Sequence, residues 1–248
     1  MSDHVVTVWN IPFLDLPITN VVVMSWIAMA VIILFAFLST RKLKLVPTGV
    51  QNAVELIVET INNFAENMIG KAEGKKFAAY IGTVGIFLII SNTIGALFMS
   101  ELTEGVICPP TRTLAVPVAL AVMTIVVVIG AGIKKKGLGG FLKSLFKPVV
   151  IMFPFKLLEF IIKPLSLSLR LFGNIFGAYI AMELLFQSLP WGIPAVASLY
   201  FDLFDGGLQA FVFVLLTSLY IAEEVEDEEE EEQEQDYPVR GMEVKAWA

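Results

Sequence analysis

The sequence predicts an all-α polytopic membrane protein with about five membrane-embedded helices and an interfacial amphipathic helix. The last two spans are expected to be long and steeply tilted. Three observations predict this class. Hydrophobic residues make up 56% of the 248 positions, and the mean hydropathy is +0.77, too apolar for an ordinary soluble domain. The apolar residues come in runs of membrane-spanning length, and clusters of Lys and Arg flank those runs on one side. The net charge of −7 comes from the C-terminus, because up to Ile221 there are 15 basic and 12 acidic residues.

Residues 1–20 are mixed and contain prolines, with no basic leader and no small-residue cleavage site, and read as a retained segment on the outer side. Residues 21–38 are uniformly apolar and are followed at once by Arg41, Lys42 and Lys44. This is a first span ending on the cytoplasmic side. In 47–69, Val50, Val54, Ile57, Val58, Ile61 and Met68 alternate with Glu55, Glu59, Asn62 and Glu66. That pattern fits a helix lying in the membrane interface or one packed on the bundle. A second span, 77–99, follows Lys71, Lys75 and Lys76 and carries Ser91, Asn92 and Thr93, which either line a water path or bond a neighbouring helix. An outer loop with Glu101, Glu104 and Cys108 leads to a third span, 114–133, which stops at Lys134, Lys135 and Lys136.

The last two apolar segments are too long to stand upright. About 40 residues from 148 to 187 would measure roughly 60 Å as a helix, and about 31 from 194 to 224 roughly 46 Å, against a hydrocarbon core of about 30 Å. Either they tilt, or they break at Pro154, Pro164 or the Gly206-Gly207 pair. The tail from Glu223 to Asp236 is a block of acid that cannot pack, and is read as disordered and cytoplasmic. It is either a solvated tail or a binder of a basic partner.

The first of these long segments carries the sharpest functional signal. Arg170 lies in an apolar run that continues to Phe186 without another cation. Arginine stays protonated, and a cation at mid-bilayer costs about 2.5–3.5 kcal/mol or more. Glu159, Lys163, Ser166, Arg170 and Asn174 share one helical face, with Gly173 and Gly177 beside them. The alternative is an arginine near a helix end that snorkels to the headgroups. Glu183, Asp202 and Asp205 are further acids in apolar sequence, and Gln209 and Tyr220 fall near the stripe of the two aspartates. Carboxylates in series with a water path make a proton or cation relay. No metal-ligand cluster, nucleophile elbow or phosphate loop appears, so no metal, cofactor or catalytic residue is expected. His4 is the only histidine, and Cys108 alone forms no internal disulfide.

The run 163–174, KPLSLSLRLFGN, resembles the signature of subunit a, the stator ion-channel subunit of F-type ATP synthases. KKKGLGGF, the SN…GAL pattern and LQAFVF are similar to further parts of that family, covering 77–224 by motif and 21–69 by pattern. The resemblance implies a non-catalytic, ion-translocating subunit with a membrane domain over 21–224 and a tail over 225–248. Its two offset half-channels would lead protons or sodium ions to and from rotor carboxylates. Arg170, Asn174 and Gln209 would stand at the stator–rotor contact, with Arg170 separating the two paths and driving ion release.

The family often has glutamate nine residues after its arginine. Here Tyr179 takes that place, with Glu183 one turn on. Asp202 stands where many members carry a titratable residue. Thr113 and Ala115 replace the usual Asp and Asn after Pro110-Thr111, with Arg112 nearby. The partners implied are a rotor ring of c-type subunits, b-type peripheral-stalk subunits, the rest of the ATP synthase and the bilayer, with no nucleic acid. The location implied is an energy-coupling membrane, the bacterial plasma membrane, with the N-terminus outside and the C-terminus cytoplasmic. A secondary transporter or channel without a rotor is the competing class. It predicts an internal repeat, and the upright-length spans of the first half do not match the over-long ones of the second.

Overall fold

The computed structural model describes residues 7–11, 16–41, 43–97, 109–146, 153–188, 192, 196–197, 200 and 204–225. Asp202, Cys108, His4 and the acidic stretch beyond 225 lie outside the described residues.

The chain opens with an antiparallel pair, β1 (Thr7–Ile11) and β2 (Leu16–Thr19), in which Trp9 faces Ile18. Its β-branched and aromatic residues favour extended backbone, and Pro17 is tolerated because each strand of a two-stranded sheet is an edge. This hairpin is an addition to the otherwise helical fold that the sequence predicts. Runs of four and five residues beside prolines carry too little periodicity to announce it. β2 passes directly into α1 (Asn20–Thr40), of which only Asn20, Val21 and Ala28 are buried. A helix apolar on all sides and packed on so little protein leaves its surface to lipid.

α2 (Val50–Ile69) and α3 (Lys71–Leu97) are joined by the single residue Gly70, at φ 100°. Glycine adopts that left-handed conformation without a Cβ penalty. The Gly70 N–H donates to the Glu66 carbonyl at 3.0 Å, and the Gly74 N–H to the Gly70 carbonyl at 2.8 Å. The chain therefore reverses within one residue, and α2 folds back along α3. The amphipathic segment packs on the bundle through its C-terminal end. Ala65 and Ile69 are buried, while Leu56, Ile57 and Val58 remain exposed at the other end of the helix.

A 3₁₀ turn at Pro110–Arg112 precedes α4 (Ala115–Ser144). The helix is interrupted at Gly137 (φ 72°, ψ 161°), just after the three lysines that end the predicted span. α5 (Phe153–Ser188) has 36 residues and so extends for about 54 Å, well beyond a hydrocarbon core of about 30 Å. Pro154 sits in its first turn, where no intrahelical N–H is needed. Pro164 lies inside, and the helix runs on past it. A single continuous helix of this length must tilt to stay within a bilayer. α6 (Gly206–Val225) has 20 residues, and its regular helical part begins at the glycine pair named as a break point.

α3 and α6 run antiparallel at the centre, with α2 and α1 on one side and α4 and α5 on the other. One core cluster joins Ala65, Ile81, Val128, Ala131, Ile221 and Val225 toward the lysine-rich end. A second joins Leu88, Ala121, Leu167, Leu171, Ala210 and Phe213. Among the described residues, five helices are long and apolar enough to cross a membrane.

Close approach at small residues substitutes here for a hydrophobic driving force between helices. A Cβ on Gly74 would lie 2.5 Å from the Ala65 carbonyl oxygen, whereas one on Gly139 would meet nothing within 4 Å. Gly74→Ala is therefore expected to lower the unfolding free energy of the solubilised complex by about 1–3 kcal/mol through overpacking. Gly139→Ala is expected to be neutral or to stabilise by up to about 1 kcal/mol. Thermal melts of the two variants beside the parent check this pair.

Candidate functional site

α5 carries the charged stripe along one edge. Glu159, Lys163, Ser166, Arg170 and Asn174 fall within about 80° of one another at 100° per residue. Glu159, Ser166 and Arg170 are exposed, and Lys163 and Asn174 are half-buried. The packed face of α5, with Leu167, Leu171 and Met182, lies to one side of the stripe. Exposed Leu165, Leu169 and Ile180 lie to the other. Gly173 and Gly177 are also exposed, with nothing within 4 Å of where a Cβ would stand. Among the described residues Arg170 has no hydrogen bond or ion pair. A permanent cation is thus presented on an open, glycine-flanked edge of a spanning helix.

A polar knot joins α3, α6 and the 110–112 turn. Asn92, 5% exposed, donates from Nδ2 to the Gly206 carbonyl at 3.0 Å. Its Oδ1 accepts from the Thr111 hydroxyl at 2.7 Å. Gly206 permits this approach, since a Cβ there would stand 3.0 Å from the Asn92 Cβ. Beside the knot lies a cavity of about 30 Å³, lined by Asn92, Pro109, Asn174, Ile175, Ala178, Asp205 and Gly206. That is room for a water with several polar partners. One turn beyond Asp205, Gln209 is buried with its Nε2 unpaired among the described groups. A buried amide without a partner is costly, and a group that aims it at a water or a partner's side chain removes that cost.

Two contacts were not foreseen. At the lysine-rich end, Lys163 binds Glu223 of α6 and lies 3.6 Å from Glu159. It also sits 5.2 Å from the centre of the Tyr220 ring. A cavity of about 140 Å³ opens beside it, lined among others by Lys136, Lys156, Glu223 and Glu224. The i,i+4 spacing of Glu159 and Lys163 was a visible signal. The tie to Glu223, 60 residues away, was hidden because that residue reads as the start of the acidic tail.

On the opposite edge of α5, the Arg112 guanidinium lies 3.3 Å from the centre of the Tyr179 ring. The Tyr179 phenol lies within electrostatic reach of both Glu183 and Arg112. At 100° per residue Tyr179 and Glu183 stand about 180° and 220° around from Arg170.

The predicted residues therefore divide. Asn92, Asn174 and Asp205 meet at one cavity with Gln209 next to it. Arg170 and Ser166 lie on the open edge continuous with Asn174, and Glu183 stands on the far edge with Tyr179. Asp202 lies outside the described residues. Among the described residues no group of three or more His, Cys, Asp or Glu side chains could hold a metal ion. The arrangement leaves a fixed charge exposed on one edge of α5, and Asn174 of that edge lines the cavity shared with Asn92 and Asp205.

This fold and this site define a multi-pass membrane protein built to present charge and polar groups inside the bilayer. The family model for the ATP synthase A chain matches residues 22–222. The chain is 40% identical over 211 residues to "ATP synthase subunit a, chloroplastic" of Oedogonium cardiacum, covering 84% of this chain and 83% of that one. It is 40% identical over 210 residues to "ATP synthase subunit a" of Moorella thermoacetica, covering 85% and 92%. It belongs to the ATP synthase subunit a family. The names of these relatives fit the stator reading and not the rotor-free transporter.

The polar knot yields a test. Asn92→Ala leaves the Thr111 hydroxyl and the Gly206 carbonyl without their buried partner, at about 1–3 kcal/mol for each unsatisfied group. The melting temperature of the solubilised complex is expected to fall by several degrees. An unchanged melt would show that the knot does not hold α3 to α6.

Proposed function

We propose that this chain is the ion-translocating stator subunit of an ATP synthase and performs no chemistry on ATP itself. Its partners are a rotor ring of c-type subunits, b-type stalk subunits and the remaining subunits of the complex. The membrane domain spans 21–224 and the acidic tail 225–248. The setting is an energy-coupling membrane of bacterial type, with the N-terminus outside and the tail in the cytoplasm.

The observation that carries this reading is Arg170, permanently charged, exposed on a spanning helix and without a partner among the described residues. Leaving it against lipid costs about 2.5–3.5 kcal/mol or more. A movable carboxylate on a second protein offsets that cost. At about 4 Å and an effective dielectric of about 20 the attraction is about 4 kcal/mol, about a thousandfold in favour of the ionised carboxylate. A rotor site that reaches Arg170 releases its ion, and a neutral, loaded site is free to move on through lipid. Open space at Gly173 and Gly177 supports close approach of the rotor helix.

Asn174, Asn92, Asp205 and Gln209 lead an ion between the outer side and the rotor, with Glu183 nearer the outer entrance and Asp202 a further member of the path. Ser166 continues the arginine edge toward the cytoplasm. Arg170 stands between the two half-channels and repels ions that would cross directly. Each charge moved down the membrane potential supplies about 2.3 kcal/mol per 100 mV.

The test is ATP-driven ion uptake into vesicles holding the intact complex. Arg170→Ala is expected to assemble and to lose pumping, since the attraction removed is worth about a thousandfold in release. Arg170→Lys, which keeps the charge but not the planar donor fork, is expected to retain a small fraction of the rate. Normal pumping by the alanine variant would overturn the role given to Arg170.

A further inference from the structure

The stator reading leaves Arg112 unused. It is the cation of the 110–112 turn, and it packs face-on against α5 through Tyr179. Tyr179 and Glu183 are one helical turn apart on the same edge of α5. Glu183 is exposed at the outer part of the helix, and Tyr179 is half-buried below it. Ala178, adjacent in sequence, lines the cavity that also holds Asn92, Asn174 and Asp205. Moving inward along α5, the order is Glu183, Tyr179 with Arg112, and then the polar cavity. Of the charged groups around this point, Glu183 and Arg112 act directly on the phenol, and Asp205 of α6 faces the cavity beneath it.

We propose that Arg112 is a positioning residue of the outer entrance: by stacking on Tyr179 it holds the phenol between Glu183 and the inner cavity, so that the entrance passes protons. The inference rests on the reading of Glu183 as an ion-path residue.

A phenol is both donor and acceptor. A proton taken up by the Glu183 carboxylate passes to the Tyr179 oxygen as the phenol's own proton leaves to an acceptor on the cavity side. The next reorientation of the hydroxyl restores the start, with no net change in either group. This exchange carries a proton and cannot carry a metal cation. The fixed guanidinium at the same point repels sodium. An aromatic ring free to swing would break the relay, and the planar stack on arginine is what prevents that. Lysine keeps the charge but loses the planar contact, so it separates the clamp from simple electrostatics.

The experiment uses the whole complex in proteoliposomes, with ATP synthesis driven by an acidic lumen at a clamped membrane potential and fixed external pH. Arg112→Gln and Tyr179→Phe are each expected to raise the lumenal proton concentration for half-maximal synthesis by about tenfold, the size of one lost charge-assisted hydrogen bond. Maximal rates should fall as well, most for Tyr179→Phe, which lacks the relay oxygen, and the double variant should be no worse than Tyr179→Phe alone. Arg112→Lys should shift the midpoint by an intermediate amount, and added sodium should leave every profile unchanged.

Glu183→Gln runs alongside as the control for the underlying reading. A shifted profile for Glu183→Gln with wild-type profiles for Arg112→Gln and Tyr179→Phe would overturn the clamp and leave the path standing. Wild-type profiles for all three would overturn both. Sodium-dependent synthesis by the wild type would overturn proton passage. Should Arg112→Gln fail to assemble, Tyr179→Phe and Arg112→Lys decide the matter by the same midpoints.

Discussion

A charge that cannot be neutralised, carried at bilayer depth, is the constraint on which the rest of this structure depends. Arginine keeps its proton at any working pH, so Arg170 is accommodated by geometry alone. α5 provides that geometry by standing at the edge of the bundle. Leu167 and Leu171 pack inward, and Arg170 is left on the rim where a second protein can reach it. Glycines 173 and 177 keep the rim low.

The remaining helices hold that edge in place through contacts that do not rely on hydrophobic association, since lipid is as apolar as leucine. Gly74, Gly82 and Gly206 admit a neighbouring backbone or side chain to near the contact limit. The Asn92 knot ties α3 to α6 and to the turn before α4. At the other end, Lys163 ties α5 to α6 through Glu223. With Arg112 of the turn stacked on Tyr179, α5 is held on both sides of Arg170. Polar residues do double duty here, since Asn92, which fixes α3 to α6, also lines the small cavity that Asn174 and Asp205 share.

Much of this was legible in the sequence, for identifiable reasons. The spans were read from runs whose length is set by bilayer thickness, and the excess length of α5 showed directly that it could not stand upright. The stripe from Glu159 to Asn174 was readable because helical periodicity is fixed. The cavity shared by Asn92, Asn174 and Asp205 was only partly readable, since residues far apart in the chain meet there through helix packing that no local pattern encodes. The Arg112–Tyr179 stack was not readable for the same reason. Gly70 looked like any glycine, and nothing in its neighbours announced a one-residue reversal between α2 and α3. The β1–β2 hairpin was too short to carry a period. The packing of α2 against α3 depended on Gly74 meeting Ala65, a contact between surfaces and not between sequence patterns.

The most direct measurement of the central claim is disulfide trapping in the intact complex, with the native Cys108 replaced by serine. Ser166→Cys and Gly177→Cys lie on the arginine edge of α5, and Glu183→Cys lies on the opposite edge. Each is paired with cysteines placed along the carboxylate-bearing helix of the rotor ring. Rapid cross-linking from Ser166→Cys and Gly177→Cys, with none from Glu183→Cys, is the result this account predicts. Cross-linking from Glu183→Cys with none from the arginine edge would contradict it, because Arg170 would then face away from the charge it is held to meet.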